Sequence, residues 1–370
     1  MRHGAPRWRD LHGAAGAPAG SWRALAHDGG VSEIAPALHA WFAATLRDPG
    51  PFTLRALSGG NSNETLLLTS PGGERIVRRP PHATIDAKAH NMAREHRVLT
   101  ALDGTGVPAP APLGFTGDPE IAPGGLLVME RIDGVSLTDA LPDGCPATAA
   151  TMTGLGEAAV DALARLHSVD WAAAGLEGFG RPDGFLERQV GRWRAQYERY
   201  AVRDLPRFGQ LAEWLGAHTP ATMRPGILHG DFHLDNCLYA LTPAIGVAAI
   251  IDWEMATIGD PLLDLGLLLA FWGDDRPAAP AMPKVQGVSR LAPAPSRAAL
   301  AERYAAASGR SIADLDFYLA LAFWKLAAIV EGAYANHLAG ELDTPYARAL
   351  EHDVPALLEE AAGFAKLSAP

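Results

Sequence analysis

The feature that most constrains the fold is a change of hydrophobic periodicity along the 370-residue chain. Up to about residue 130, short β-like runs such as "FTLRALSGGNSNETLLLTS" are separated by glycines, whereas after 150 the apolar residues recur almost throughout at helical spacing. The length suggests two domains or one two-lobed domain. We therefore predict an α+β chain with a β-rich first part, residues 31–132, and a larger helical part, residues 133–370.

Local patterns give the expected elements in more detail. Residues 1–30 are rich in Gly, Ala and Arg without periodicity, which is typical of disorder. The segment "GVPAPAPLGF" is interpreted as a proline-rich connector, "GVAAIIDWE" as part of a short buried strand pair, and residues 274–298 as a long surface loop. Helices are predicted near 31–47, 88–102, 184–201, 207–217, 261–272, 296–308 and 314–338, and in "GLGEAAVDALARLHSVDW".

Composition excludes several classes of function. A net charge of −11 argues against a general nucleic-acid binder, which needs a basic face. Two cysteines, Cys145 and Cys237, do not indicate a disulfide framework and favour a reducing compartment. There is no uncharged apolar run of about 18 residues and no secretory signal pattern. We expect a cytoplasmic protein without a membrane span; the sequence does not indicate its oligomeric state.

The stretch "GILHGDFHLDNCLY", residues 226–239, carries the strongest chemical signal. Asp231 and Asn236 have the spacing D-x-x-x-x-N of kinase catalytic loops, in which the Asp accepts the proton of the substrate hydroxyl and the Asn binds Mg²⁺. Asp252 ends an apolar strand and would supply the second metal ligand. Oxygen ligands of this kind suit magnesium.

A transition-metal site is the alternative interpretation of the same stretch. His229, Asp231 and His233 occupy alternate positions and would share one face of a strand, as ligands of zinc, iron or manganese do. That hypothesis does not account for Asn236 and is less favoured. In the kinase interpretation, His229 is a structural hydrogen-bonding residue and His233 an accessory of the loop.

Two motifs of the first part are ambiguous by themselves. The glycines of "SGGNSNE" could cradle phosphates through backbone N–H groups, or could form a plain hairpin turn. An arginine of "RIVRRP" could hold phosphates and pair with Glu95 on the next helix, or could belong to a solvated basic edge.

The motifs together resemble a known family. "HGDFHLDN" followed by "IDWEMATIGDPLLDLG" is similar to the aminoglycoside phosphotransferase family of small-molecule kinases. "SGGNSNETLLL", "LLVMERIDG" and "RYAAASGRSIADLDFYLALAFWKLAAIVEGAYA" resemble the branch that also occurs fused to acyl-CoA dehydrogenases, and the resemblance covers roughly residues 50–365. It implies a protein-kinase-like, two-lobed fold with a small β-rich N-lobe and a larger helical C-lobe.

The resemblance also implies roles for individual residues, with ATP and Mg²⁺ as cofactors. Asp231 is expected to be the catalytic base, and Asn236 and Asp252 the ligands of Mg²⁺, while Asp260 and Asp264 brace the catalytic loop. Arg78 replaces the lysine that kinases generally place on the third strand, and is favoured over Arg79 for the nucleotide; an arginine is not equivalent to a lysine point charge. The expected nucleotide-binding residues are Gly59, Gly60, Asn61, Ser62, Arg78, Glu95, Met129, Glu130 and Ile132.

The predicted function is therefore ATP- and Mg²⁺-dependent phosphorylation of a hydroxyl group on a small molecule. Basic residues in 274–298 favour an anionic acceptor, such as a hydroxyacyl thioester, over a polycationic aminoglycoside, although they could merely keep a proline-rich loop soluble. The alternative, motivated by Arg78, is a nucleotide-binding module that does not turn over. A protein kinase is not favoured, because the sequence has no A-P-E-like segment after Asp252.

Overall fold

The computed structural model describes residues 34–57, 63–80, 92–137, 140–221, 224–273, 287–291 and 293–368. The chain divides into two compact units. The first unit contains residues 1–136, 238–240 and 248–254, and the second unit contains residues 137–237, 241–247 and 255–370. The expected disordered segment 1–30 lies outside the described residues.

The first unit is built on a five-stranded antiparallel sheet. Its elements are α1 (Pro36–Leu46), β1 (Thr53–Ala56), β2 (Glu64–Ser70), β3 (Gly73–Arg79), α2 (Met92–Leu102), β4 (Pro112–Thr116) and β5 (Leu126–Glu130). The strand order is β1-β2-β3-β5-β4. Backbone hydrogen bonds join the segments 238–240 and 248–254 to the rest of this unit: the N–H of Ile250 donates to the carbonyl of Pro108, and Val135 pairs with Tyr239.

Strand β4 corrects one prediction. The segment interpreted as a proline-rich connector contains an edge strand, Pro112–Thr116, which pairs with β5 and has a register shift between Pro112 and Gly114. An edge strand donates hydrogen bonds on one side only, and proline is tolerated at its first residue. Proline content therefore does not exclude a strand at this position.

The alternation of side chains along β3 places an arginine on the face of the sheet opposite to the apolar core that α1 covers. Val77 is fully buried in the apolar core that α1 covers, together with Phe42, Leu68 and Val128. Successive residues of a strand face opposite sides. Arg78 therefore faces the other side of the sheet, where Glu95 of α2 meets it.

The second unit is mainly helical, as predicted. Helix α9 was not singled out by the sequence analysis; Thr344 caps its N-terminus, and it packs against α8. Its elements are α3 (Ala149–Ser168), α4 (Phe185–Tyr200), α5 (Pro206–Ala217), β6 (Gly226–Leu228), β9 (Thr257–Gly259), α6 (Leu262–Ala270), α7 (Arg297–Ser308), α8 (Leu315–Leu338) and α9 (Pro345–Phe364). The strands β7 (Cys237–Ala240) and β8 (Gly246–Ile250) begin in this unit and end in the first unit. Strand β6 pairs with β9, and β7, which begins in this unit, pairs with β8.

Helix α8 forms the centre of the second unit. By length and composition it could cross a membrane, but 89% of its most apolar window is buried inside the protein. It packs against α4, α5, α6 and α9. Burial by neighbouring helices accounts for the apolar sequence of α8, so that sequence is only weak evidence for a membrane span.

Candidate active site

The loop after β6 presents Asp231. Gly230 has a φ of +86°, and a Cβ at this position would lie 2.5 Å from the carbonyl oxygen of Met255. Only glycine fits such a turn without strain. Phe232 and Leu234 are buried and anchor the loop, whereas the Asp231 side chain is 48% exposed and can meet a substrate.

A buried carboxylate holds the backbone of this loop. Asp264, in the first turn of α6, accepts hydrogen bonds from the backbone N–H groups of His229 at 2.6 Å and Gly230 at 2.9 Å. His167 contacts Asp264 at 3.4 Å and the Tyr304 hydroxyl at 2.7 Å. Burial lowers the pKa of His167 despite the opposing effect of Asp264, so a neutral imidazole occupies the network. Asp264 thus braces the loop as the resemblance implies.

Asp260 has a different structural role from Asp264. Its carboxylate accepts from the backbone N–H of Leu262 at 3.0 Å, at the start of α6, and from the Tyr318 hydroxyl at 2.9 Å. Asp260 is 2% exposed. Through these two hydrogen bonds Asp260 ties α6 to α8, whereas Asp264 is the acid that holds the catalytic loop.

The surroundings of Asp231 keep it ionised. Burial by itself would raise the pKa of Asp231, but His233, through charge and a hydrogen bond, and Lys325 and His229 through charge, outweigh it and hold the pKa well below its usual range. The side-chain nitrogen Nδ2 of Asn236 donates to the Asp231 backbone oxygen at 2.8 Å and to Oδ2 at 3.2 Å. An ionised, oriented carboxylate of this kind can accept a proton from a hydroxyl.

We expect Gly230→Ala to lower the free energy of unfolding by about 2 kcal/mol or more, because the methyl group would meet the Met255 carbonyl in a left-handed backbone conformation. Gly191→Ala is the matched control, since Gly191 lies within α4 with no atom near its missing Cβ. It should stabilise the protein by about 0.5–1 kcal/mol. Urea unfolding measures the free energy of unfolding of both variants. Equal effects of the two variants would contradict the requirement for glycine at position 230.

In the first unit, Arg78 bridges two carboxylates. Its Nη1 lies 2.7 Å from Glu95 Oε1, and its Nη2 lies 3.0 Å from Asp252 Oδ1. The side chains of Arg78 and Glu95 are 8% and 1% exposed. Burial would lower the pKa of Arg78, but Glu95 and Asp252 outweigh it and raise that pKa, whereas burial raises the pKa of Glu95 against the effect of Arg78.

The neighbouring arginine is in a different environment. Arg79 pairs with Glu64, its cross-strand partner, at 2.7 Å, and their side chains are 31% and 35% exposed. Arg78 is thus the arginine that pairs with Glu95. Its contact with a nucleotide remains a prediction.

Asp252 has a strained backbone and one available oxygen. It follows β8 with a φ of +65°, and only Oδ1 is engaged by Arg78 among the described residues. On the same segment, Glu254 accepts a hydrogen bond from buried Asn63 at 3.0 Å. No local sequence pattern predicts this pair, because the two residues are 191 positions apart.

The predicted metal ligands Asn236 and Asp252 each offer an oxygen atom, which suits a hard cation better than a transition metal. The side-chain hydrogen bonds of Asn236 to described residues use Nδ2, so its Oδ1 is available to bind a cation. Arg78 contacts Oδ1 of Asp252, so Oδ2 of Asp252 is likewise available within the described ranges. Oxygen atoms of this type are the usual protein ligands of Mg²⁺. Among the described residues, the structure brings no three His, Cys, Asp or Glu side chains together as a candidate metal site.

The other predicted nucleotide-binding residues are placed only in part. Gly59, Gly60, Asn61 and Ser62 lie outside the described residues. Met129 is buried on β5, and Glu130 ends that strand, with its backbone N–H donating to Ala111 at 2.9 Å. Ile132 follows two residues later. The roles of these residues in nucleotide binding remain predictions.

A pocket in the second unit contains a residue that the sequence analysis did not assign to the site. Lys325 of α8 lines it together with Arg192 and Trp193 of α4, and its Nζ lies 3.4 Å from the carbonyl oxygen of Gly230. Burial lowers the pKa of Lys325 against the opposing charges of Asp231 and Asp264. The sequence signal that could have identified Lys325 is its position as a single charged residue within the apolar stretch "LALAFWKLAAIV".

The sheet with its buried arginine–glutamate pair and the helical unit with its D-x-x-x-x-N loop define a kinase-like phosphotransferase fold. The sequence profile of the phosphotransferase enzyme family (APH) matches residues 53–320. The chain belongs to this family.

Individual relatives agree with this assignment. The chain is 35% identical over 301 residues to acyl-CoA dehydrogenase family member 11 of Gallus gallus, a match covering 79% of this chain and 38% of that protein. It therefore spans well under half of that relative. A crystal structure of a "putative aminoglycoside phosphotransferase" from Ralstonia eutropha has a TM-score of 0.74 and 28% identity, over 89% of this chain and 97% of that one.

A ligand-bound structure shares the fold at lower identity. A thermostable mutant of aminoglycoside phosphotransferase APH(4)-Ia, solved with AMP-PNP and hygromycin B, has a TM-score of 0.57 and 16% identity. The match covers 89% of this chain and 100% of that protein. At this identity the likeness establishes the fold alone.

Proposed function

We propose that this protein transfers the γ-phosphoryl group of ATP, in the presence of Mg²⁺, to a hydroxyl group of a small molecule. The observation that carries the proposal is Asp231, an ionised and half-exposed carboxylate on a loop whose backbone Asp264 holds. Membership of the phosphotransferase enzyme family supports it.

In the proposed reaction, Asp231 orients the acceptor hydroxyl and accepts its proton. The hydroxyl oxygen forms a bond to the γ-phosphorus while the bond between that phosphorus and the bridging oxygen breaks, leaving ADP. Bound Mg²⁺ would neutralise phosphate charge, with Asn236 and Asp252 as its protein ligands, as the motif implies. Positioning and charge neutralisation supply most of the catalysis in such reactions.

Other residues have supporting roles in this proposal. Arg78 orients Asp252 through its Nη2 and is itself held by Glu95. The glycine loop from Gly59 to Ser62 would cover the phosphates, and Met129, Glu130 and Ile132 would contact the adenine. Both cysteines are free, which supports the proposed location in the reducing cytoplasm.

The second candidate is a nucleotide-binding module without turnover. The observation that favours it is the Arg78–Asp252 ion pair, because a carboxylate bound to arginine must share its charge with any metal ion. The available Oδ2 of Asp252 favours the enzyme. Of possible acceptors, an anionic one, such as a hydroxyacyl thioester, is proposed over an aminoglycoside.

The test is transfer of labelled γ-phosphate from ATP to a panel of hydroxylated acceptors that includes hydroxyacyl-CoAs, hydroxy acids, choline and aminoglycosides. We expect product with wild-type protein and Mg²⁺, no product after chelation of Mg²⁺ by EDTA, and transfer that is slower by about 10²–10⁴-fold with Asp231→Asn. Nucleotide binding is measured in parallel by calorimetry. Tight ATP binding without any labelled acceptor would favour the binding module.

A further inference from the structure

The stretch at the end of β8, residues 250–254, holds Asp252 in an unusual backbone conformation and is named the Asp252 segment. The φ of Asp252 is +65°, in the left-handed region that is costly for residues other than glycine. Within the segment, the buried Trp253 donates its indole N–H to the carbonyl of Ile250 at 2.9 Å. A strained conformation of this kind persists only where the surrounding contacts impose it.

Two side chains of the first unit attach the Asp252 segment to the five-stranded sheet. Nη2 of Arg78 lies 3.0 Å from Oδ1 of Asp252, and Nδ2 of Asn63 donates to Oε2 of Glu254 at 3.0 Å. Asn63 immediately precedes β2, and Thr65, two residues later, pairs with Arg78 of β3. Because side chains alternate along a strand, Asn63 and Arg78 lie on the same face of the sheet. The sheet therefore holds the segment at Asp252 and again two residues further on.

Asparagine at position 63 is unfavourable for the stability of the sheet. Asn63 is 1% exposed, and its Oδ1 is buried without a hydrogen-bond partner in the described part of the chain. A buried amide whose carbonyl oxygen is unpaired lowers stability, and an apolar side chain avoids this loss. Departures from good packing and pairing of polar groups are expected mainly at functional sites. Stability alone therefore does not explain the bond that Asn63 donates to Glu254.

We propose, on the basis of the proposed phosphotransferase function, that Asn63 is a positioning residue for the metal ligand Asp252. Its hydrogen bond fixes Glu254 and, through the backbone, the left-handed conformation of Asp252. Oδ1 of Asp252 then stays on Arg78, and Oδ2 stays available for Mg²⁺. Glu254 has the role of a support in this arrangement and is not itself a ligand.

The test measures binding of AMP-PNP to the full-length protein by calorimetry, once with excess Mg²⁺ and once with EDTA. The ratio of the Kd in EDTA to the Kd in Mg²⁺ is the magnesium gain, which requires no turnover. Asn63→Leu and Glu254→Ala should each lower the magnesium gain by about tenfold, the lower end of the effect of residues that orient metal ligands. The Kd in EDTA should stay within about twofold of the wild-type value, because the change acts on the metal ligand alone.

Two further variants separate the hydrogen bond from charge. Glu254→Gln removes the charge but keeps an oxygen that accepts from Asn63, so its magnesium gain should stay within about threefold of the wild-type value. Glu64→Gln is the matched control, because Glu64 follows Asn63 directly but pairs with Arg79. It should leave the magnesium gain unchanged.

Thermal unfolding separates positioning from a structural role. Asn63→Leu removes the unpaired buried oxygen, so its unfolding midpoint should be at least that of the wild type. If Asn63→Leu does not fold, this expectation is contradicted, and the comparison of Glu254→Ala with Glu254→Gln decides on the positioning role by itself.

The outcomes distinguish this inference from the proposed function. A wild-type magnesium gain in Asn63→Leu, equal losses in Glu254→Gln and Glu254→Ala, or equal binding of AMP-PNP by the wild type with and without Mg²⁺ would overturn the role of Asn63. A magnesium gain that depends on Asn63, without phosphoryl transfer to any acceptor, would support that role and refute the kinase.

Discussion

Replacing Asp231 by asparagine is expected to lower kcat for phosphoryl transfer by about 10²–10⁴-fold, the usual contribution of a positioned general base. Asparagine has nearly the same shape and can still accept a hydrogen bond from Asn236, so the loop geometry should persist. It cannot accept a proton from the acceptor. Steady-state kinetics with the acceptor found in the transfer assay measures the change, with KM for ATP expected to change little.

The pH dependence provides a second measurement on the same residue. Because the pKa of Asp231 is lowered, its carboxylate is ionised at every pH above its ordinary pKa of about 4. Any loss of activity between pH 8 and about pH 5 must come from other groups. Glu198→Gln, which removes an exposed acid on α4, is the charge-matched control and should leave kcat unchanged. An Asp231→Asn variant with near wild-type kcat would refute the assigned base.

The second large effect is expected at Arg78. Arg78→Met should destabilise the first unit by about 3–5 kcal/mol, because it leaves the buried Glu95 carboxylate without its partner. Hydrogen exchange of the amides in β3 and α2 measures the stability of this unit separately from the second unit. Arg79→Met removes an arginine of the same strand whose ion pair is about one third exposed, and should cost at most about 1 kcal/mol.

One companion variant and one pH series identify the cause of that destabilisation. Arg78→Met combined with Glu95→Gln should recover part of the lost stability, because the uncompensated buried charge is removed. In Arg78→Met alone, burial of Glu95 raises its carboxyl pKa without opposition from the arginine, so the folded state binds a proton more readily than the unfolded state. Its stability should therefore rise as the pH falls towards that raised pKa. Equal losses in Arg78→Met and Arg79→Met would contradict the buried-pair assignment.

Local patterns in the sequence predicted the fold class and several parts of the site. The helical spacing of apolar residues predicted most helices of the second unit, because a helix buries residues three or four positions apart. The spacing of Asp231 and Asn236 predicted a kinase-like catalytic loop, and the structure adds that the two residues are hydrogen-bonded within it. Strand β4 was missed, because its proline content is compatible with an edge position that only the sheet order reveals.

The sequence by itself determined the family, the loop carrying Asp231 and Asn236, and the alternation of β-rich and helical parts, all of which depend on residues close together along the chain. Only the tertiary structure decided which arginine meets Glu95, that Asn63 pairs with Glu254, and that Lys325 lies beside Gly230. These contacts join residues 17, 191 and 95 positions apart. Such contacts depend on which faces of different helices and strands pack together, and periodicity within one element does not specify its packing partner.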